Sequence, residues 1–541
     1  MDLAHARELR PTAWIAALSP QRRHLYLALL MTAIGSVVMA FALPRIDFHA
    51  DEAIYLTRVP VNTGKDSGLV FHAAYLSTGG GALTPLSARW TSLLLGCVLI
   101  FSTTRVVQLL VPSRAQLAGV LIPLSMVISY QGIFTILRVR PEISWVAVAS
   151  LACWCLAELR TKDSWLFRGL LILSLLLLPM NHLLSLFPAF FLGCYLILFA
   201  RTRLGNVFTG IAVSAMGVGL ILNHAVRTWM VDGQLHFLPA LGGGSEGQRL
   251  GLGSFLKNVY WHSPLFLKDA AVNDNLWSSM NPFEADFATS HCFVATMIWA
   301  IALPLPLVMR TWESRFVASI PLATLGLFYA SGYFNPTYSP ILTIYAVAIY
   351  GFMVVNRSYW VGNRAIAAAI LVVTILNGGS FLATRVLNHG PATFFEVEAL
   401  LREKIAALPP ETVISVPERF QSAMGDRAQK HVLFKGDLPE DIDIIVLDNY
   451  DFEMYRFVPD YDKRQQQIAT FASNAKQLED LALPVYQGEK LFPQTAENTP
   501  LKTVQGSWFF RNSVNYTVSI LENSAEQKQL ASRKPNSIEH R

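Results

Sequence analysis

Apolar residues recur along this chain in unbroken runs of about 20, the length at which a helix rising 1.5 Å per residue crosses a bilayer core of about 30 Å. The runs fall at 25–44, 91–111, 116–136, 142–159, 166–181, 183–200, 206–225, 292–309, 316–334, 339–355 and 365–384. They predict a mostly α, polytopic membrane helix bundle of about 11 spans. The turn between the fifth and sixth runs is expected at Pro179-Met180-Asn181-His182. Beyond about residue 390 the pattern becomes that of a soluble chain. Phe395 to Leu408 reads as an amphipathic helix ended by Pro409-Pro410, Val413–Val416 and Ile442–Leu447 as short buried strands, and Arg464–Leu481 as a further helix. The pattern divides the chain into an N-terminal stretch 1–24, a membrane domain 25–388, a small C-terminal α/β domain 389–522, and a polar tail 523–541 expected to be disordered.

Composition agrees. Only 15% of residues are charged, against about 25% in soluble domains. Mean hydropathy is +0.37. The net charge of +5 comes from residues in short loops and forms no basic stripe, so nucleic-acid binding is excluded as a reading. Arg7, Arg10, Arg22 and Arg23 favour a cytoplasmic N-terminus. Every inside loop is then basic: Arg114; Arg160, Lys162 and Arg168; Arg201 and Arg203; Arg310 and Arg315; Arg357 and Arg364. The same count places 45–88, 137–141, 226–290, 335–338 and everything after about 385 outside. Arg138 and Arg140 are the exception on the outer side. Ala40-Phe41-Ala42 resembles a signal-peptidase site, but the apolar run before it, about 19 residues, exceeds the usual 7–15 of a cleaved leader, which favours an uncleaved first span. The five cysteines lie in or beside apolar runs, which excludes a disulfide framework in the C-terminal part. Cys153 and Cys155, one residue apart on a span, read as packing residues.

Candidate chemistry concentrates at the outer end of the first span, in Pro44-Arg45-Ile46-Asp47-Phe48-His49-Ala50-Asp51-Glu52-Ala53-Ile54-Tyr55. Carboxylates at a bilayer edge are costly unless they face water, a metal or a partner. In a helical segment Asp51 and Tyr55 share a face. A solvated acidic loop is the plain alternative. On the same side, Arg138-Val139-Arg140-Pro141-Glu142 offers two guanidiniums that could hold a phosphate bidentately or anchor lipid headgroups. Glu142 suits the first turn of a helix, where the dipole favours an acid. His182, His224 and His262 could join Asp47, Asp51 or Glu142 around a divalent metal, although no two of them have close ligand spacing. The outer loop 226–290 combines Gly242-Gly243-Gly244 with Tyr260, Trp261, His262 and Trp277, a mobile segment with aromatics suited to the membrane interface. No phosphate-binding glycine loop, zinc-binding His-Glu-x-x-His or nucleophile elbow occurs, so a nucleotide-sugar or ATP site has no support. A donor used on the outer face would be lipid-linked.

The Asp47-x-x-x-Asp51-Glu52-Ala53-x-Tyr55 stretch resembles the end of the first span in polyprenyl-phosphate-sugar glycosyltransferases of the GT-C fold, notably the protein O-mannosyltransferases and the lipid A aminoarabinose transferases. Arg89-Trp90-Thr91-Ser92 with Gly96 resembles the opening of that family's second span, Arg140-Pro141-Glu142 its Arg-Pro-Asp element, and Tyr333 to Pro340 its Tyr-x-x-Pro-x-x-Pro-like approach to a late span. The resemblance covers roughly residues 25–355. The chain departs from it at Phe71-His72-Ala73-Ala74, where the family has His-Pro-Pro-Leu, and at Ile54, where a basic residue is common.

The resemblance implies inverting transfer of a sugar from a polyprenyl-phosphate donor to a glycan, lipid or protein acceptor on the outer face of a bacterial inner membrane. It implies Asp51 as general base, with Asp47 and Glu52 beside it as candidate catalytic acids. Arg138, Arg140 and Arg89 would bind the donor phosphate, and Tyr55, His72, Glu142, His262 and Tyr338 are candidate substrate contacts. No metal or other cofactor is required by the residues. Two other classes stay open: a transporter or lipid flippase using the same acids, and a membrane scaffold presenting the α/β domain.

Overall fold

The structure is a computed structural model that describes residues 18–45, 52, 73, 85–140, 142–181, 185–232, 315, 339–387, 394–425, 430–432, 441–448, 461–474, 476–482 and 517–522. The expected spans 292–309 and 316–334, most of the loops 45–88 and 226–290, and the tail 523–541 lie outside these residues.

Helix α1 spans Pro20–Ala42; the Ser19 hydroxyl accepts from the Arg22 amide, and Pro20, with no amide hydrogen to waste, sits at the first helical position. A 3-10 turn, Leu43–Arg45, follows. Helix α2 is Pro85–Leu110, six residues earlier at its start than the apolar run suggested, because Pro85 again provides a helix start inside polar sequence. Beyond a 3-10 turn at Pro112–Arg114, the third expected span is broken in two, α3 Ala115–Ile128 and α4 Tyr130–Leu137. The break has a local cause. Ser129 adopts extended backbone, ends α3 and caps α4, its hydroxyl accepting from the Gly132 amide at 3.0 Å. A side chain at Gly132 would run into the Met126 carbonyl oxygen. Hydropathy averaged over the run could not register a cap buried inside it.

Helix α5, Glu142–Leu159, matches its expected span. Helix α6, Trp165–Leu177, ends in a 3-10 turn at Leu178–Met180, where Pro179 was expected to turn the chain. Then come α7 Leu186–Tyr195, a π-helical turn Leu196–Ala200, α8 Arg201–Leu204, α9 Asn206–Asp232, α10 Ser339–Val355 and α11 Val361–Leu387. Among the described residues, five helices are long and apolar enough to cross a membrane: Pro20–Ala42, Pro85–Leu110, Glu142–Leu159, Leu186–Leu204 and Asn206–Val226.

Helices α2 and α5 form the most extensively packed pair, with α1 and α3 on one side and α6 and α9 on the other. Small residues permit this closeness. A side chain at Gly96 of α2 would overlap Ile136 of α4, and one at Gly35 of α1 would crowd Val127 of α3. On the outside, Leu30, Phe41, Phe190 and Leu198 are more than half exposed. Apolar belts of this kind are a liability in water and suit a lipid surround, so the bundle is that of an integral membrane protein.

The C-terminal part is a five-stranded mixed sheet with helices. Its elements are α12 Phe394–Ala406, β1 Ile414–Val416, β2 Lys430–Val432, β3 Ile444–Asp448, α13 Tyr461–Asn474, β4 Lys476–Ala482 and β5 Thr517–Glu522. The strand order is β2-β1-β3-β5-β4, parallel for β2-β1-β3 and antiparallel for β3-β5-β4. The helix expected over 464–481 is corrected here: it stops at Asn474, and Lys476–Ala482 is a strand paired with Thr517–Glu522. That stretch has helix-forming residues, but a partner strand far along the chain overrides local propensity. Phe394, Phe395, Leu401, Phe420, Ile414 and Val446 form a buried cluster that also takes in Ala88 and Val139 of the membrane bundle. The α/β part thus rests on the bundle end where α2 begins and α4 finishes.

Candidate functional site

At that end, three segments far apart in sequence meet. Glu52 is fully buried, as is Arg89 in the first turns of α2. The Arg89 guanidinium grips the Glu52 carboxylate bidentately: Nε donates to Oε1 at 3.1 Å and Nη2 to Oε2 at 2.9 Å. Nη1 of Arg89 donates to the Leu43 carbonyl at 3.0 Å, which ties in the turn that ends α1. The Val139 amide donates to Glu52 Oε1 at 2.8 Å, which ties in the loop between α4 and α5. A charge pair this deep is tolerable only because its polar atoms are so well supplied with partners.

The α4–α5 loop is fixed from a second direction. The Ser92 hydroxyl, one turn after Arg89, donates to the Arg138 carbonyl at 2.8 Å. Arg138 is extended, and its side chain is partly buried. Arg140 is buried beside Glu142; its Nε and Nη2 donate to the two carboxylate oxygens, both at 3.3 Å. Glu142 occupies the first turn of α5, as its sequence position suggested. The arrangement presents a buried carboxylate–guanidinium core, with a second guanidinium paired to Glu142 in the adjoining residues.

Of the residues singled out in the sequence, the structure joins Glu52 to Arg89 through their side chains, brings the Arg138 backbone to the same turn of α2 through Ser92, and pairs Arg140 with Glu142 just beyond it. Asp47, Asp51, Tyr55, His72, His262 and Tyr338 lie outside the described residues; Asp51 is the immediate chain neighbour of Glu52. Among the described residues no group of three His, Cys, Asp or Glu side chains is gathered as metal ligands. His224 is on α9, and His182 is outside the described residues.

Sequence reasoning missed two kinds of participant. The Leu43 carbonyl and Val139 amide are backbone groups, and no residue pattern discloses them. Phe395 of α12 lies with its ring centroid 5.1 Å from the Arg89 guanidinium carbon, a cation–π distance. Its only signal in the sequence was membership of an amphipathic helix.

A second buried polar cluster lies at the opposite end of the bundle. Arg105 of α2 donates through Nη2 to Glu158 of α5 at 2.9 Å and through Nη1 to the Gln108 side chain at 2.8 Å. Trp154 donates to the same Glu158 oxygen at 3.1 Å, and Lys162 lies 3.8 Å from the other. The Gln108 amide reaches the carbonyls of His24 and Ala115. Arg105 and Glu158 were legible in principle, because each is a charge near the end of an apolar run, which is a recognised warning of function or of a buried partner. Outside this cluster, the Arg168 guanidinium stacks 4.7 Å from Phe208 and its hydrogen bonds hold the exposed Asp163 carboxyl below the usual carboxylate range.

No protein-family model and no curated protein matches the chain. Among solved structures it is similar to the crystal structure of ArnT from Cupriavidus metallidurans bound to undecaprenyl phosphate, at 11% sequence identity over 96% of this chain and 99% of that chain, with a TM-score of 0.40.

Proposed function

We propose that this chain is a GT-C-type integral membrane glycosyltransferase that moves a sugar from a polyprenyl-phosphate donor to an acceptor on the outer face of the membrane. The observation that carries the reading is the convergence at Glu52. The acidic stretch after α1, the Arg89–Ser92 opening of α2 and the Arg138–Glu142 loop each resembled that family separately. In the fold, the described parts of these three join in one hydrogen-bonded cluster. The cluster sits at the helix ends, whereas a transporter's ionisable residues are expected near the bilayer midplane.

In this reading Asp51 is the general base. It takes the proton of the acceptor hydroxyl as that oxygen bonds to the anomeric carbon and the bond from that carbon to the donor phosphate oxygen breaks, with inversion. A positioned base supplies roughly 10²–10⁴-fold. The Glu52–Arg89 pair anchors the backbone next to Asp51. Arg138 and Arg140 meet the leaving lipid phosphate, and Arg140 exchanges Glu142 for it as charge develops. Such electrostatic stabilisation is often the largest contribution to rate. The remaining sequence candidates, Asp47, Tyr55, His72, His262 and Tyr338, belong to the acceptor and donor surroundings. The topology proposed with this reading has residues 1–24 inside, about 11 spans over 25–388 and the α/β domain 389–522 outside.

The test is Asp51→Asn in purified protein reconstituted with polyprenyl-phosphate sugars and cell-envelope acceptors. Transfer should fall at least about 100-fold with unchanged membrane yield. Wild-type turnover by this variant removes Asp51 as base. For topology, alkaline phosphatase fused after Gly390 should be active; a silent fusion, with a cytoplasmic reporter active at the same site, reverses the assignment.

A further inference from the structure

We infer that the C-terminal α/β part is a working component of this site, and that Phe395 is a positioning residue that acts through Arg89. The Arg89 guanidinium donates from its edge to Glu52 and to the Leu43 carbonyl, and the Phe395 ring lies 5.1 Å from its carbon. An aromatic ring attracts a cation over its π face while excluding water, which strengthens the neighbouring ion pair by lowering the local dielectric. An aliphatic side chain of similar size excludes water but lacks that attraction.

The placement of the ring is determined by the α/β part. Phe395 packs edge-on against Phe394, with centroids 5.5 Å apart, and Phe394 stacks on the fully buried Phe420 at 4.9 Å. Phe420 belongs to the 3-10 turn Glu418–Met424 that follows β1. Helix α12 is further fastened to this turn by Glu398, which accepts from the Ser422 hydroxyl at 3.0 Å and pairs with Arg402. A line of aromatic contacts thus runs from the turn after β1 to the ion pair that anchors Glu52. Ala88 and Val139 complete the seat for α12 on the bundle. The inference concerns how this pair is held and stands whichever reaction the site performs.

The Val139 amide reports the state of the pair directly, because its hydrogen is donated to Glu52. The experiment is hydrogen exchange with mass-spectrometric readout on the full chain in lipid nanodiscs, comparing wild type with Phe395→Tyr, Phe395→Leu and Phe395→Ala. Exchange at Val139 should stay near the wild-type rate in the Tyr variant and quicken at least tenfold in the Leu and Ala variants. Peptides around Arg105 and Glu158 should not change. Equal exchange in the Leu and Tyr variants, whether fast or slow, overturns the inference, since it means the ring contributes only bulk or nothing. If Phe395→Ala does not fold, the comparison of Leu with Tyr still decides. Transfer activity measured on the same variants should follow the same order. Should Asp51→Asn retain activity, the transferase reading fails while the exchange result keeps its meaning.

Discussion

Helix α2 carries a buried arginine near each end, Arg89 and Arg105, separated by about 24 Å of helix at 1.5 Å per residue. Each is paired with a buried glutamate from another segment, Glu52 or Glu158. The two pairs look alike in distance and burial and differ in what surrounds them. Arg105 joins helix to helix: Gln108, Trp154, Lys162 and two backbone carbonyls close a network that fastens α1, α2, α3 and α5. Arg89 joins a helix to two loops and to the aromatic face of a separate α/β layer. A charge pair between rigid helices fixes architecture. A pair that also holds the turn after α1 and the loop between α4 and α5 fixes the position of what those connections carry, which here is the Arg138–Glu142 turn. The lesson is that burial and a short distance do not say what a charge pair holds in place; the company of the pair does.

The comparison can be broken first by neutralising one partner. Glu52→Ala and Glu158→Ala each strand a buried guanidinium, and each should cost about 3–5 kcal/mol, read as a large fall in Tm of the purified protein. A stable Glu158→Ala variant would mean that the Arg105 network is not the brace described.

Replacing both partners sharpens the contrast. Arg89→Met with Glu52→Leu, and Arg105→Met with Glu158→Leu, remove the charges together and should regain most of the stability, since apolar substitutes for a buried pair are often neutral or better. On the proposed transferase reading, activity should separate them: the Arg105–Glu158 double variant keeps transfer, and the Arg89–Glu52 double variant loses it by at least about 100-fold. Full activity in the Arg89–Glu52 double variant would reduce both pairs to architecture.

Gly96→Ala tests the packing that brings the α4–α5 loop to Arg89. The added methyl meets Ile136, and overpacking of this kind costs about 1–3 kcal/mol, checked by thermal unfolding. At the loop itself, Arg140→Ala should lower kcat/KM about tenfold, or about 1.4 kcal/mol, with Arg140→Lys recovering only part, because an ammonium lacks the planar fork. Complete rescue by Lys, with reduced membrane yield for Ala, would point instead to headgroup anchoring. The smallest effect is expected at the rim of the Arg105 network. Lys162 is 60% exposed and 3.8 Å from Glu158, so Lys162→Ala should change stability by no more than about 1 kcal/mol.

What the sequence determined by itself is the helical membrane architecture. Runs of apolar residues must either leave water or be shielded from it, and their length and charged ends follow from bilayer thickness, so α1, α2, α5, α6 and α9 sit close to where hydropathy put them. The acidic stretch and the Arg138–Glu142 loop were also legible as chemistry, since charge at a membrane edge demands an explanation. Only the tertiary structure decided the rest. The break at Ser129 depends on a cap and a close backbone approach inside an apolar run. The strand at Lys476–Ala482 depends on a partner more than thirty residues later. The pairing of Glu52 with Arg89 depends on where the turn after α1, the α4–α5 loop and α12 are carried by the helices beneath them. Hydropathy is a property of each segment and can be read locally; the partner of a buried charge is a property of the packed chain.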